Sequence, residues 1–254
     1  MNGMRTQETI PKILHYCWFG PNEIGSTPRE NIENWRSLNP DFQIKRWSEK
    51  NFNIEEHPYC KAAYDAGKFA FVSDYVRLYA LEQEGGIYLD TDVEELKPFA
   101  PLLKYSSFFA LDENSEINTG LIMGSRPGSK VLRDLLNVYE TKKNFLSQGT
   151  FVMTTCVEIT TDYFLARGFK NKDRFQHIGE SVIFPRRYFC PQSFGGTRPK
   201  LTPDTYTIHH YDASWLADTE KERRVLLRHV RVGHMLSKII GRRGLEHLRK
   251  LLHS

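Results

Sequence analysis

FAFVSDYVRLYALEQEGGIYLDTDV, residues 69–93, is the stretch that decides the fold class. Val72, Val76, Tyr79 and Ala80 recur at steps of three and four, the spacing of one helical face. Asp74 and Arg77 are three apart, so they project together from that helix. Gly85-Gly86 stops it, because glycine takes the left-handed conformation that helix C-termini often require. Ile87-Tyr88-Leu89 is short, apolar and β-prone, as a buried strand is. If the chain stays extended beyond it, Asp90 and Asp92 point to one side and Thr91 to the other. Two carboxylates on one side of a strand end suit a hard divalent cation, Mg²⁺ or Mn²⁺, shared with substrate phosphates. Open α/β sheets bind their ligands at that same edge.

Taken singly, these features are weak. D-x-D is common in turns, and an Asp-Arg pair at this spacing is usually a surface ion pair. In combination they are specific. S-D-x-x-R followed by L-x-x-x-G-G-I-Y-x-D-x-D, from Ser73 to Asp92, resembles the central signature of the DXD glycosyltransferases of family 32. That is the Och1-like and bacterial capsular-polysaccharide type, related to the catalytic domains of glucosylating clostridial toxins. The resemblance implies a GT-A type nucleotide-sugar-binding fold, a mostly parallel α/β sheet flanked by helices. It also implies Mn²⁺ (or Mg²⁺) at Asp90 and Asp92, with Asp74 on ribose or sugar hydroxyls and Arg77 on the sugar or phosphates.

Two flanking segments extend the resemblance. IPKILHYCWFG, residues 10–20, reads as the first, central strand closed by Gly20-Pro21, and is similar to the opening of the same family. By that resemblance Trp18 would stack on the nucleotide base, as a flat apolar ring at a strand end can; His15 reads as structural. TYTIHHYDASW, residues 205–215, resembles the family's closing motif. It implies a histidine in the metal shell, and Ser214 and Trp215 on the diphosphate. Neighbouring histidines on a strand face opposite ways, so one of His209 and His210 reaches the metal; His210 is the favoured one, with Asp212 a spare oxygen ligand. Asn118 is either a donor-sugar contact, as the resemblance suggests, or the opening of an Asx-type turn.

Elsewhere the pattern gives a helix over 28–38, a strand over 42–47, a partly helical 48–68 and a short strand over 108–111. Beyond these it gives a strand near 118–124, an amphipathic helix over 127–139 and a partly helical 151–165. Short strands are expected at 178–184 and 188–189. Residues 193–203 read as a loop able to close over the donor.

The 254 residues, 40% hydrophobic and 26% charged, suit one large α/β domain. Cys17, Cys60, Cys156 and Cys190 lack C-x-x-C spacing and read as reduced, buried thiols. The chain has no apolar run of about 18 residues, and MNGMRTQETI lacks a signal core, so a cytoplasmic protein is expected. The net charge of +4 hides an asymmetry: residues 221–254 hold ten Lys/Arg against two Asp/Glu. That segment reads as a basic amphipathic helical tail beyond a catalytic domain of residues 1–220. It suits an anionic membrane, such as the inner face of the plasma membrane. No aromatic residues interleave with its charges, so nucleic acid is not expected.

The expected activity is retaining transfer of a sugar from a nucleoside-diphosphate donor to a hydroxyl of a glycan or lipid-linked acceptor in surface polysaccharide synthesis. A UDP-sugar is favoured because the chain is short and shows no anchor. The alternatives are a haloacid-dehalogenase-type phosphatase with Asp90 as nucleophile, and a non-catalytic nucleotide-sugar-binding membrane adaptor.

Overall fold

The computed structural model describes residues 9–141, 146–147, 150–151, 154–192 and 198–211. The expected tail over 221–254, and the domain boundary at 220, lie outside them. The described residues up to His210 form one compact unit.

Its centre is a seven-stranded sheet in the order β2-β1-β3-β6-β5-β10-β9. These strands are β1 (Ile13–Cys17), β2 (Gln43–Trp47), β3 (Gly86–Tyr88), β5 (Ser107–Ala110), β6 (Met123–Ser125), β9 (Gln176–Ile178) and β10 (Ser181–Phe184). β1 runs parallel to β2 and β3, and β5 to β10; β6 is antiparallel between β3 and β5, and β9 closes the far edge antiparallel. The fold is therefore α/β, mostly parallel and flanked by helices. Two short ribbons lie outside this sheet: β4 (Val93–Glu95) with β11 (Thr207–His209), and β7 (Leu146–Ser147) with β8 (Thr150–Phe151).

The helices are α1 (Ser26–Leu38), α2 (Pro58–Asp65), α3 (Phe69–Glu84), α4 (Lys130–Thr141) and α5 (Cys156–Leu165). α3 packs on α2, α4, β1 and β3. It is buried on nearly every side, Phe71, Tyr75 and Leu78 as fully as Val72, Val76 and Ala80. The single apolar face expected from the sequence is thus one of several, because α3 has neighbours around most of its circumference. The strand expected at 188–189 is instead the end of a 3₁₀ turn, Arg186–Tyr188.

The double glycine has two causes. Gly85 and Gly86 take φ of +66° and +106°, and a Cβ on Gly86 would stand 2.6 Å from the Ile13 carbonyl. His15 pins this turn. Trp47 Nε1 donates to His15 Nδ1 at 2.9 Å, so the neutral ring carries its proton on Nε2, which lies 2.8 Å from the Gly85 carbonyl. Burial holds its pKa down at about 4.

Candidate active site

β3 delivers the two aspartates. Leu89 N–H donates to the His15 carbonyl and Asp90 N–H to the Gly120 carbonyl, both at 3.1 Å. The chain then turns: Val93 N–H donates to the Asp90 carbonyl at 3.1 Å. This corrects the extended geometry expected for residues 90–92. The carboxylates converge because a turn folds them together, not because a strand alternates.

The third member arrives from β11, where His209 stands opposite Val93 of β4. His209 Nε2 lies 3.3 Å from Asp92 Oδ1, and one ligand atom from each of Asp90, Asp92 and His209 lies within 4.8 Å of the others. His210, the residue favoured from the sequence, points away. Its Nε2 is 2.8 Å from Glu94 Oε2 on the exposed side. Successive strand residues do face opposite ways, but the register of β11 on β4 selects His209.

Beneath this cluster is a buried ionic network. Arg77 Nη1 is 3.0 Å from Asp74 Oδ1, and Arg77 Nη2 is 3.1 Å from Asp90 Oδ1. Tyr88 donates its hydroxyl to the same Asp90 Oδ1 at 2.7 Å, and the guanidinium lies 4.9 Å over the Tyr88 ring. Thr119 Oγ1 and Cys156 Sγ complete the surroundings of Arg77 at 3.3 and 3.4 Å. The Arg77 side chain is 4% exposed, Asp74 11% and Asp90 31%. Burial raises the pKa of both Asp74 and Asp90, with Arg77 opposing it in each. Burial would lower that of Arg77, but Asp90, Tyr88 and Asp74 together raise it well above its ordinary value.

The network decides which oxygen is available. Two donors hold Oδ1 of Asp90, so Oδ2 is the oxygen left for a cation. A Cβ at Gly120 would sit 2.3 Å from Oδ2, so only glycine leaves that side of Asp90 open. Two carboxylate oxygens and an imidazole nitrogen fit Mn²⁺ well and Mg²⁺ acceptably.

The other candidates are placed unevenly. Trp18 follows β1 at the same end of the sheet, and its Nε1 donates to the Asn22 carbonyl at 2.7 Å. Its ring is half-buried, unlike those of Trp35 and Trp47 in the core. Asn118 builds an Asx turn, its Oδ1 accepting from Gly120 N–H at 2.9 Å. It thereby shapes the loop that touches Asp90. Asp74 and Arg77 face inward, toward Cys156 and Asp90, as a support beneath the aspartates. Asp212, Ser214, Trp215 and part of the 193–203 loop lie outside the described residues. Sequence reasoning missed Tyr88, Thr119 and Gly120 as functional, although I-Y-x-D and N-T-G stood inside segments it had singled out.

Fold and site together define an α/β domain with a clustered Asp-Asp-His set at one edge of its sheet. Residues 26–109, which include both aspartates, match the family model described as "Glycosyltransferase sugar-binding region containing DXD motif". The chain is 29% identical over 189 residues to inositol phosphoceramide mannosyltransferase 3 of Schizosaccharomyces pombe, covering 70% of this chain and 51% of that protein. It is 24% identical over 236 residues to mannosyl phosphorylinositol ceramide synthase SUR1 of Saccharomyces cerevisiae, covering 88% and 56%. The chain thus spans about half the length of these curated relatives. Among solved structures, a glycosyltransferase involved in glycosylation of the major capsid of PBCV-1 is 12% identical, with a TM-score of 0.48 over 85% of this chain and 100% of that one.

Proposed function

We propose that the protein is a divalent-metal-dependent, retaining glycosyltransferase. It moves a hexosyl group from a nucleoside-diphosphate sugar to a hydroxyl of a glycan or lipid-linked acceptor. The observation that carries this reading is the convergence of Asp90, Asp92 and His209 at one point.

Asp90 Oδ2, Asp92 and His209 would hold Mn²⁺ or Mg²⁺, which supplies neutralisation of charge on the departing diphosphate. Arg77 and Tyr88 fix Asp90 from below. Trp18 covers the base, and Ser214 and Trp215 contact the diphosphate. Among the described residues no carboxylate stands out as a covalent nucleophile. We therefore favour front-face attack by the acceptor hydroxyl, with the leaving phosphate taking its proton.

The relatives' names carry mannosyl transfer, which supports a nucleoside-diphosphate mannose donor over the UDP-sugar expected from the sequence. They also support an acceptor bearing an anionic lipid. The basic segment 221–254 agrees with that, as a contact for an anionic bilayer. Among the described residues no helix is long and apolar enough to cross a membrane. The phosphatase reading is disfavoured by the engagement of Asp90 Oδ1 with Arg77 and Tyr88, which leaves a poor nucleophile.

Isothermal titration of GDP and of UDP, with and without Mn²⁺, on wild type and Asp92→Ala tests the reading. Mn²⁺-dependent binding of one nucleotide, lost in the variant, supports the site. GDP would select a mannose donor, and UDP a UDP-sugar. Binding of neither, with hydrolysis of phosphate esters instead, would overturn the reading.

A further inference from the structure

The segment that carries the aspartates has two edges. Toward β11, His210 N–H donates to the Asp92 carbonyl at 3.1 Å and Leu96 N–H to the Tyr206 carbonyl at 2.7 Å. The carbonyls of residues 91, 93 and 95 turn the other way, where no strand pairs with β4 among the described residues. Carbonyls turned away from water require donors, and α1 supplies them here from its side chains. Asn31 Nδ2 donates to the Thr91 carbonyl at 2.9 Å, Trp35 Nε1 to that of Val93 at 2.9 Å, and Asn34 Nδ2 to that of Glu95 at 2.7 Å. Positions 31, 34 and 35 share one helical face, as 91, 93 and 95 share one strand edge. Asn31 and Trp35 are buried.

The three bonds differ in where they land. Asn31 reaches the residue between the two aspartates, inside the turn closed by Val93 N–H on the Asp90 carbonyl. Asn34 reaches a residue three positions past Asp92. The Thr91 carbonyl belongs to the peptide that joins Thr91 to Asp92. Rotating that peptide changes ψ at 91 and φ at 92, and so re-aims the Asp92 carboxylate.

We propose that Asn31 is a positioning residue for the aspartate pair. Its amide locks the Thr91–Asp92 peptide and thereby sets the separation of the Asp90 and Asp92 carboxylates. Its consequence for metal binding rests on reading Asp90, Asp92 and His209 as the cation site. Groups that orient metal ligands without touching the ion commonly change affinity by tenfold or more when removed.

The test compares wild type, Asn31→Ala, Asn31→Asp and Asn34→Ala, all as the full chain. Asn34→Ala removes a bond of the same kind further from the aspartates. Asn31→Asp keeps the shape, loses the donor, and adds negative charge that by itself would strengthen cation binding. Two readouts are taken: Mn²⁺ binding, followed by loss of the free-ion electron paramagnetic resonance signal with GDP or UDP present, and amide hydrogen exchange at Val93. Both Asn31 variants should bind Mn²⁺ about tenfold more weakly and exchange faster at Val93, while Asn34→Ala stays near wild type in both. Equal effects in the Asn31 and Asn34 variants, or tighter binding in Asn31→Asp, would overturn the proposal. If wild type itself fails to bind Mn²⁺, the cation reading falls and the Val93 comparison alone decides the role of Asn31. Faster exchange confined to the Asn31 variants upholds it, and unchanged exchange removes it.

Discussion

The Tyr88 hydroxyl donates to the same oxygen of Asp90, Oδ1, that Arg77 holds. One carboxylate oxygen is anchored twice and its neighbour is left for a ligand. Tyr88→Phe keeps the ring and its contact with the guanidinium while removing one anchor. The stability loss should be about 1.5–3 kcal/mol, the range for a hydrogen bond to a charged group. Nucleotide binding in the presence of Mn²⁺ should weaken several-fold with the fold intact. Paired urea unfolding and calorimetric titration check this, and unchanged affinity would show that Oδ1 needs no second anchor.

Arg77 stands between two carboxylates, and Asp74 has almost no access to water. Arg77→Met would leave Asp74 buried without its partner, a change that typically costs about 3–5 kcal/mol. Adding Asp74→Asn should recover much of that loss, so the double variant would be more stable than Arg77→Met alone. A double-mutant cycle by denaturant unfolding measures the coupling. Additive losses would contradict a direct ion pair.

The two histidines separate by register. His209→Ala should abolish or greatly weaken Mn²⁺-dependent nucleotide binding, whereas His210→Ala should leave it within about twofold, since it breaks only an exposed contact with Glu94. The reverse pattern would mean that β11 is shifted by one residue on β4.

Much of this was legible in the sequence, and the failures share a cause. The helix, double glycine and strand of residues 69–93 are encoded locally, so spacing and glycine placement located them. The resemblance from Ser73 to Asp92 named the aspartates. The choice of His209 depends on a ladder between β4 and β11, whose paired residues lie more than a hundred positions apart. Nothing within HHYD encodes that register. Asn31 was invisible for the same reason: its partner, Thr91, is 60 residues away, and the helical pattern shows only that 31 lies beside the inward-facing Ile32. Asn118 was left open between two readings; its Asx turn is local, and its place beside Asp90 comes from the fold.

Gly120→Ala is a small change with a large expected effect. The added methyl would press on Asp90 Oδ2, the oxygen proposed to meet the cation, so Asp90 must move or the 118–120 loop must. Metal affinity should fall at least tenfold with only a modest change in melting temperature. A variant that binds Mn²⁺ as wild type does would show that Oδ2 is not the ligand.

The last prediction concerns pH and follows from two buried groups. Glu95 accepts two bonds from Asn39 Nδ2, at 2.7 and 2.8 Å, and burial pushes its carboxyl up to about 8. The folded chain therefore keeps a proton that the unfolded chain loses above about 4.5, so stability falls as pH rises from about 4.5 to 8. His15 works in the opposite direction. Its folded pKa of about 4 lies below the ordinary 6.5, so the unfolded chain takes up a proton that the folded one refuses. Stability falls as pH drops from about 6.5 toward 4, by roughly 3 kcal/mol for this group. Glu95→Gln should remove the alkaline loss and raise the melting temperature at pH 8 relative to wild type, while leaving the acid limb in place. Melting curves from pH 4 to 8 on both proteins decide it: an alkaline slope that persists in Glu95→Gln would assign that proton to another group.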